Sequence, residues 1–331
     1  MGATGAIAQA RGYCVAMDTD STADGYPPLP WHAGELEIQN HIGDAARMAE
    51  IGRRTIRPFL IEQHRDFFPL LAFIVIGAVD QEGDPWATLR AGTPGFASSP
   101  DPLHLRIATI QEDQDPADAA MKDGDAIGLL GIDLATRRRN RLNGRIEGRD
   151  AEGLSVAVDQ SFGNCPQYIQ RRAFSFHRPS DTPSPIAARH TTRFDERARA
   201  IISASDGFYV ASYVDLETGG RQVDVSHRGG KPGFVGINDE DTLTVPDYPG
   251  NHFFSTLGNM RLNARAGLVF IDFDTGDLLQ VTGDTEVDLE RPGPSFGIAE
   301  RLWRLRPRQI VYRPLGLPLH WADIARPEKG D

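Results

Sequence analysis

Four arginines crowd one short stretch of an otherwise acidic chain: Arg137, Arg138, Arg139 and Arg141. If that stretch is a β-strand, alternation puts Arg139, Arg141, Asn143 and Arg145 on one side. Guanidinium groups held this close repel one another unless an anion or carboxylates lie between them, and their planar forks fit a phosphate. A surface strand paired with the chain's many carboxylates is the other reading of the same residues.

Three more groups offer binding chemistry. Ser226 and Arg228 share a strand face and are followed by Gly229 and Gly230, where a ligand can approach the main chain closely; a plain tight turn is the alternative. The run from Asp247 to Asn251 leads into a helical pattern containing Ser255, Thr256 and Asn259, so free N–H groups and hydroxyls can seat a phosphate there, as at many helix starts. The segment beginning Gln160, Ser161 and continuing through Asn164 is rich in amides. Amides can read the edge of a heteroaromatic ring through paired donors and acceptors, or serve as solvent-facing caps.

Other chemistries find no support. There is no Walker A loop, GxGxxG, HExxH or GxSxG, and the 9 His show no metal-ligand spacing. His227 adjoins Ser226 in sequence, but strand neighbours point to opposite faces, so it reads as structural. No side chain is singled out as a catalytic acid or base. Cys14 and Cys165 form no CxxC and read as plain thiols in a reducing compartment. With 35 Lys and Arg against 46 Asp and Glu, the formal charge of -11 disfavours nucleic acid and anionic lipid. No run approaches the roughly 18 apolar residues of a membrane helix. The first residues lack a basic region followed by an apolar stretch, and a cytoplasmic protein is expected.

What must position these groups is a duplicated, β-rich scaffold. The 331 residues exceed one average domain, and 34 Gly and 23 Pro imply many turns. RAGTPGF from Arg90 matches RGGKPGF from Arg228, at a register of 228 − 90 = 138. The hairpin pattern from Gly128 matches that from Gly267, at a register of 267 − 128 = 139, so two separate blocks keep nearly the same spacing. Each copy reads as strands followed by a hairpin; the second has a helix between them, with Phe253, Leu257 and Met260 on one face. At that place the first copy has an acidic stretch from Gln111, expected to be a solvated loop or short surface helix. Ile38, Ile42, Ala45 and Ala49 predict one amphipathic helix over 35–51. Residues rich in Pro, Ser and Thr follow the first copy and suit a linker. The expected organisation is an N-terminal extension over 1–55, a first repeat over 56–177, a linker over 178–194 and a second repeat over 195–331.

Together, VSHRGGKPGF from Val225, PDYPGN from Pro246 with TLGN downstream, RRRNRLNG from Arg137 and QSFGNCPQ from Gln160 resemble a tandem-repeat branch of the pyridoxamine 5'-phosphate oxidase-like FMN-binding split barrels. The resemblance implies a β-rich α+β fold in which two fused split β-barrel units form a pseudo-dimer. It implies FMN at their interface, with Arg139, Arg141 and Arg228 on the phosphate and Ser226, Asn251 and Thr256 hydrogen-bonded to it. Gln160, Ser161 and Asn164 would address the ring or ribityl chain, and Asn143 and Gly229 would border the site. The helix start occurs only in the second copy, and the arginine cluster and Gln160-Ser161 only in the first, so one FMN per chain is expected. An oxidoreductase follows, with a small-molecule substrate and a separate donor, NAD(P)H or a reductase, since the chain carries no iron-sulfur cysteine set. The substrate-phosphate residues of a true pyridoxamine phosphate oxidase are not found. A deazaflavin reductase and a non-catalytic flavin carrier or sensor are the rival readings, and further homodimerisation is left open.

Overall fold

Runs of β-branched and aromatic residues open both halves, and each becomes a strand covered on both faces. The computed structural model describes residues 30–217 and 219–324. Cys14 and the first part of the N-terminal extension lie outside the described residues.

The first half contributes β1 (Phe73–Val79), β2 (Pro85–Ala91), β3 (Ala97–Asp101), β4 (His104–Ile107), β5 (Ala126–Asp133), β6 (Arg138–Asp150) and β7 (Gly153–Gly163). Two short strands follow, β8 (Arg172–Phe176) and β9 (Arg189–Thr191). The second half contributes β10 (Gly207–Asp215), β11 (Arg221–Gly229), β12 (Gly236–Ile237), β13 (Leu243–Asp247), β14 (Arg265–Ile271), β15 (Leu278–Asp288) and β16 (Arg301–Arg313), and β17 (Leu319–Asp323) closes the described chain. The first sheet runs β2-β1-β5-β6-β7-β4-β3 and the second β11-β10-β14-β15-β16-β13-β12. These are the same path strand for strand, which makes the molecule the β-rich α+β pair of split-barrel units expected from the sequence.

Residue register confirms the duplication at finer grain. Arg90 lies opposite Ile74 and Arg228 opposite Phe208; Gly128 lies opposite Gly77 and Gly267 opposite Ala211. The offset on the facing strand is the same in both comparisons (208 − 74 = 134 and 211 − 77 = 134). The paired glycines have a physical reason. A Cβ on Gly128 would stand 2.7 Å from the Val223 carbonyl oxygen, and one on Gly267 would stand 2.1 Å from that of Pro85. Each glycine thus lets its own sheet approach the backbone of the other half.

Each barrel has its own core. Ile74, Ile76, Trp86, Leu129 and Leu142 belong to the first, and Phe208, Val210, Leu268, Phe270 and Trp303 to the second. A third cluster, joining Val75, Leu89 and Leu130 to Tyr209, Val225 and Val269, welds the halves. Each such side chain removed from water contributes roughly 1.5–3 kcal/mol. β8 pairs with β17, and β9 pairs with β16 of the second sheet, so the connection expected to lack periodicity contains a strand.

The single N-terminal helix expected over 35–51 is two, α1 (Ala33–His41) and α2 (Ala45–Thr55). Gly43, at φ 73°, takes the left-handed conformation that breaks them. Short helices α3 (Glu62–Arg65) and α4 (Pro116–Ala119) belong to the first half, and α5 (Glu196–Ala204) and α6 (Ser255–Leu262) to the second. The acidic stretch departs from expectation. Gln111, Asp113 and Gln114 are exposed, but Asp115 and Asp118 are buried, with Ala117, Ala120 and Met121 packed into the first core. Its carboxylates are drawn in by buried arginines: Arg90 Nη1 lies 2.7 Å from Asp115 and Arg90 Nη2 lies 2.7 Å from Asp118.

Candidate functional site

Alternation along β6 and β11 sends one set of polar side chains from each half into a common cleft. From β6 come Arg139 and Arg141, and the chain just beyond β7 adds Asn164 and Tyr168. From β11 come Ser226, Arg228 and Gly229, and the start of α6 adds Ser255 and Thr256. The cleft encloses about 890 Å³ of empty space when its open side is counted in.

At its floor, Arg141 Nη1 donates to Asp224 Oδ1 at 3.1 Å, and its Nη2 donates to Ser226 Oγ. Thr256 Oγ1 donates to the same Ser226 oxygen at 2.9 Å. Both lone pairs of that hydroxyl are then engaged, and its own proton is left for a ligand. Asn143 and Asn259 hold Asp224 from behind, at 2.8 and 3.1 Å. At the wall, Asp247 takes Arg228 Nη1 at 2.7 Å and Arg301 Nε at 3.0 Å, and Arg301 also meets Glu300 at 2.6 Å. Arg139 has no carboxylate partner among the described residues and donates to the Cys165 carbonyl.

Four guanidinium groups therefore face three carboxylates. Desolvation, and then the neighbouring Arg141, lower Arg139 to about 10. Desolvation also lowers Arg141, with Asp224 opposing and Arg228 reinforcing the shift. His227 is pushed well below its ordinary value by desolvation and by Arg139 and Arg228, so it stands neutral. Behind the floor, burial and then Asp224 push the Glu35 carboxyl well above the usual carboxylate range.

The backbone around the cleft is bent to suit. Tyr168, His252 and Phe254 adopt positive φ of 63°, 61° and 61° without being glycine, a conformation that costs free energy and clusters at ligand sites. Phe254 stands at the N-terminus of α6 and offers no side-chain cap, so the first-turn N–H groups stay available. Gly34 of α1 crosses Gly258 of α6 so closely that a Cβ on Gly34 would stand 2.1 Å from the Gly258 oxygen, which fixes the direction of α6.

Eight residues singled out from the sequence line the cleft: Arg139, Arg141, Asn164, Ser226, Arg228, Gly229, Asn251 and Thr256. Three do not. Asn143 is buried beneath, on Asp224; Gln160 accepts from Asn143 across the strands at 3.3 Å; Ser161 is on the opposite face, 2.9 Å from His64 Nδ1. For Ser161 the cause is strand alternation, since Arg141 faces Phe162 across the ladder; Gln160 shares the face of Arg141 but stands opposite Asn143, further along the strands. Sequence reasoning missed Arg301, which reaches the site only because β13 and β16 pair Asp247 with it. It also passed over Tyr168 and Tyr248, whose rings lie 5.4 Å apart at 31°; both sit inside motifs already noticed for their polar neighbours.

Buried donors test whether a phosphorylated ligand fits. Arg141 Nε, Arg228 Nε and Asn164 Nδ2 are shielded and have no hydrogen-bond partner among the described residues. With one surplus positive charge and an uncapped helix start, they match an oxyanion carried on a larger group. Among the described residues, no group of three or more His, Cys, Asp or Glu is placed to hold a metal, and no helix is long and apolar enough to cross a membrane.

No known family model matches the chain, and no curated protein does. Solved structures similar to parts of it include an FAD-binding protein from Mesorhizobium loti, at 14% identity and TM-score 0.27, covering 38% of this chain and 98% of that one. A protein related to general stress protein 26, of the pyridoxinephosphate oxidase family, from Clostridium acetobutylicum matches at 14% identity and TM-score 0.25 over 39% and 92%. HutZ, a heme storage protein from Vibrio cholerae, matches at 14% and 0.25 over 37% and 95%. The likeness is one of fold, and the two-copy split-barrel architecture stands on the strand order and register of the chain itself.

Proposed function

We propose that the chain is an FMN-binding flavoprotein, an oxidoreductase that holds one flavin between its two halves. The observation that carries this reading is the convergence of Arg139, Arg141 and Asn164 from the first half with Ser226, Arg228 and Thr256 from the second on one cleft. Arg228, Arg141 and Arg139 would neutralise the phosphate, and the Ser226 proton and the first N–H groups of α6 would hydrogen-bond it. Asn164 and Asn251, 3.4 Å apart at the rim, would address the remainder of the ligand, beside the Tyr168 and Tyr248 rings. When bound, the flavin supplies the redox chemistry, and the protein supplies position and electrostatics. A small-molecule substrate and a separate donor, NAD(P)H or a reductase, complete the proposal.

Purified protein titrated with FMN should bind about one flavin per chain, seen as a visible absorbance band that persists through gel filtration. No retained flavin, or two per chain, overturns the reading. Turnover with NADH or NADPH and an acceptor separates an enzyme from a flavin carrier, and the absorbance maximum of the cofactor copurified from cells separates FMN from a deazaflavin or heme.

A further inference from the structure

Register equates the open cleft with a second place in the molecule. Arg90 matches Arg228 across the two ladders. Thr88 lies opposite Ile76 and Ser226 opposite Val210, again with the same offset on the facing strand (210 − 76 = 134). Arg141 lies opposite Leu130 and Gln280 opposite Val269, at the offset (269 − 130 = 139) that also relates Gly128 to Gly267. Thr88, Arg90 and Gln280 are therefore the twins of Ser226, Arg228 and Arg141, each pair drawn from the opposite halves.

In the open cleft the three line empty space, with Arg141 also held by Asp224 and Arg228 by Asp247. In the twin they converge on one carboxylate. Asp115 Oδ2 accepts from Thr88 Oγ1, from Arg90 Nη1 at 2.7 Å and from Arg313 Nη1 at 2.8 Å. Its Oδ1 accepts from Gln280 Nε2 at 2.9 Å and from the Ala117 N–H at 3.0 Å. Five donors on one fully buried carboxylate is the coordination of a bound oxyanion. The segment that delivers Asp115 replaces, at the same point of the duplicated path, the approach to α6. Arg90 also meets Asp118, and Arg313 also meets Glu112, so the seat is closed by side chains of one continuous stretch.

We propose that Asp115 is a tethered ligand: its carboxylate fills, in the first half, the oxyanion seat that stays open in the second. The chain thus has two seats for a phosphate- or carboxylate-bearing group, one for an external ligand and one satisfied from within. Naming the two as twins rests on the reading of the open cleft as a phosphate seat, but the test does not use flavin. Arg313 also borders a surface cleft of about 510 Å³, with Glu112, Asp113 and Ser184.

The experiment is anion rescue of Asp115→Ala. In chloride its unfolding midpoint should fall by roughly 5–10 °C, because Arg90 and Arg313 lose their shared partner. Sodium formate or inorganic phosphate at equal ionic strength should restore at least half of that loss, with a much smaller response from the native protein. Equal stability of variant and native chains, or equal responses of both to the anions, overturns the proposal. If the variant does not accumulate in chloride, refolding in formate or phosphate reads the same point: recovery only with those anions supports it, and recovery in none overturns it. Asp115→Asn keeps the shape without the charge and should also lose midpoint; an unchanged midpoint counts against the inference. Should FMN fail to bind native protein while rescue succeeds, only the flavin reading falls.

Discussion

Arg141 and Asp224 form a buried ion pair that bridges the two halves, with Nη1 3.1 Å from Oδ1. The aspartate has Asn143 and Asn259 as further partners, but no second cation within bonding distance among the described residues. Removing the arginine strands a buried carboxylate. Arg141→Ala should cost about 3–5 kcal/mol of stability, read as a lower urea midpoint.

Arg139 behaves differently because it is partly exposed and, among the described residues, its guanidinium donates only to a carbonyl. Arg139→Ala should leave the unfolding midpoint nearly unchanged while weakening FMN roughly 10–100-fold, the loss of one charge-assisted contact. Riboflavin, which lacks the phosphate, should bind the native and variant proteins alike in a fluorescence titration. A parallel loss for riboflavin would move Arg139 away from the phosphate.

The α1–α6 crossing makes the cleft depend on a residue outside it. Gly34→Ala places a methyl group against the Gly258 backbone, and overpacking of this kind costs about 1–3 kcal/mol. Since α6 must shift, FMN affinity should fall as well, whereas Gly148→Ala, at a position with nothing within 4 Å of the added carbon, should change neither.

His64 carries a pH dependence. Burial, then Arg57 and Arg138, lowers it from 6.5 to about 4. Between those values the unfolded chain binds the proton and the folded one does not, so this contribution is complete above about 6.5 and is lost as pH falls towards about 4. The stability difference between native protein and His64→Gln should shrink from pH 7 to pH 4.5 in paired urea titrations.

The duplication was legible because its hairpins carry glycines and an arginine at positions the fold needs twice, and those survive as letters. Most of the cleft was legible for a similar reason: Arg139 with Arg141, and Ser226 with Arg228, share a face by simple alternation. The buried acidic stretch was not, because a charge run reads as solvated unless its counter-ions are known, and Arg313 lies 198 residues from Asp115. Gln160 and Ser161 read as one amide-rich motif, although adjacent strand residues face apart. The break at Gly43 was hidden because Ile38, Ile42, Ala45 and Ala49 keep helical spacing across it.

Covalent fusion changes what a substitution can reach. In an assembly of two identical subunits each codon change appears in both copies, so a carboxylate suited to stopping one seat would stop both. Joined end to end, the halves can diverge, and Asp115 occurs on one side alone. Symmetry breaking of this kind lets one barrel specialise as a rigid buttress while its sibling keeps an open cleft.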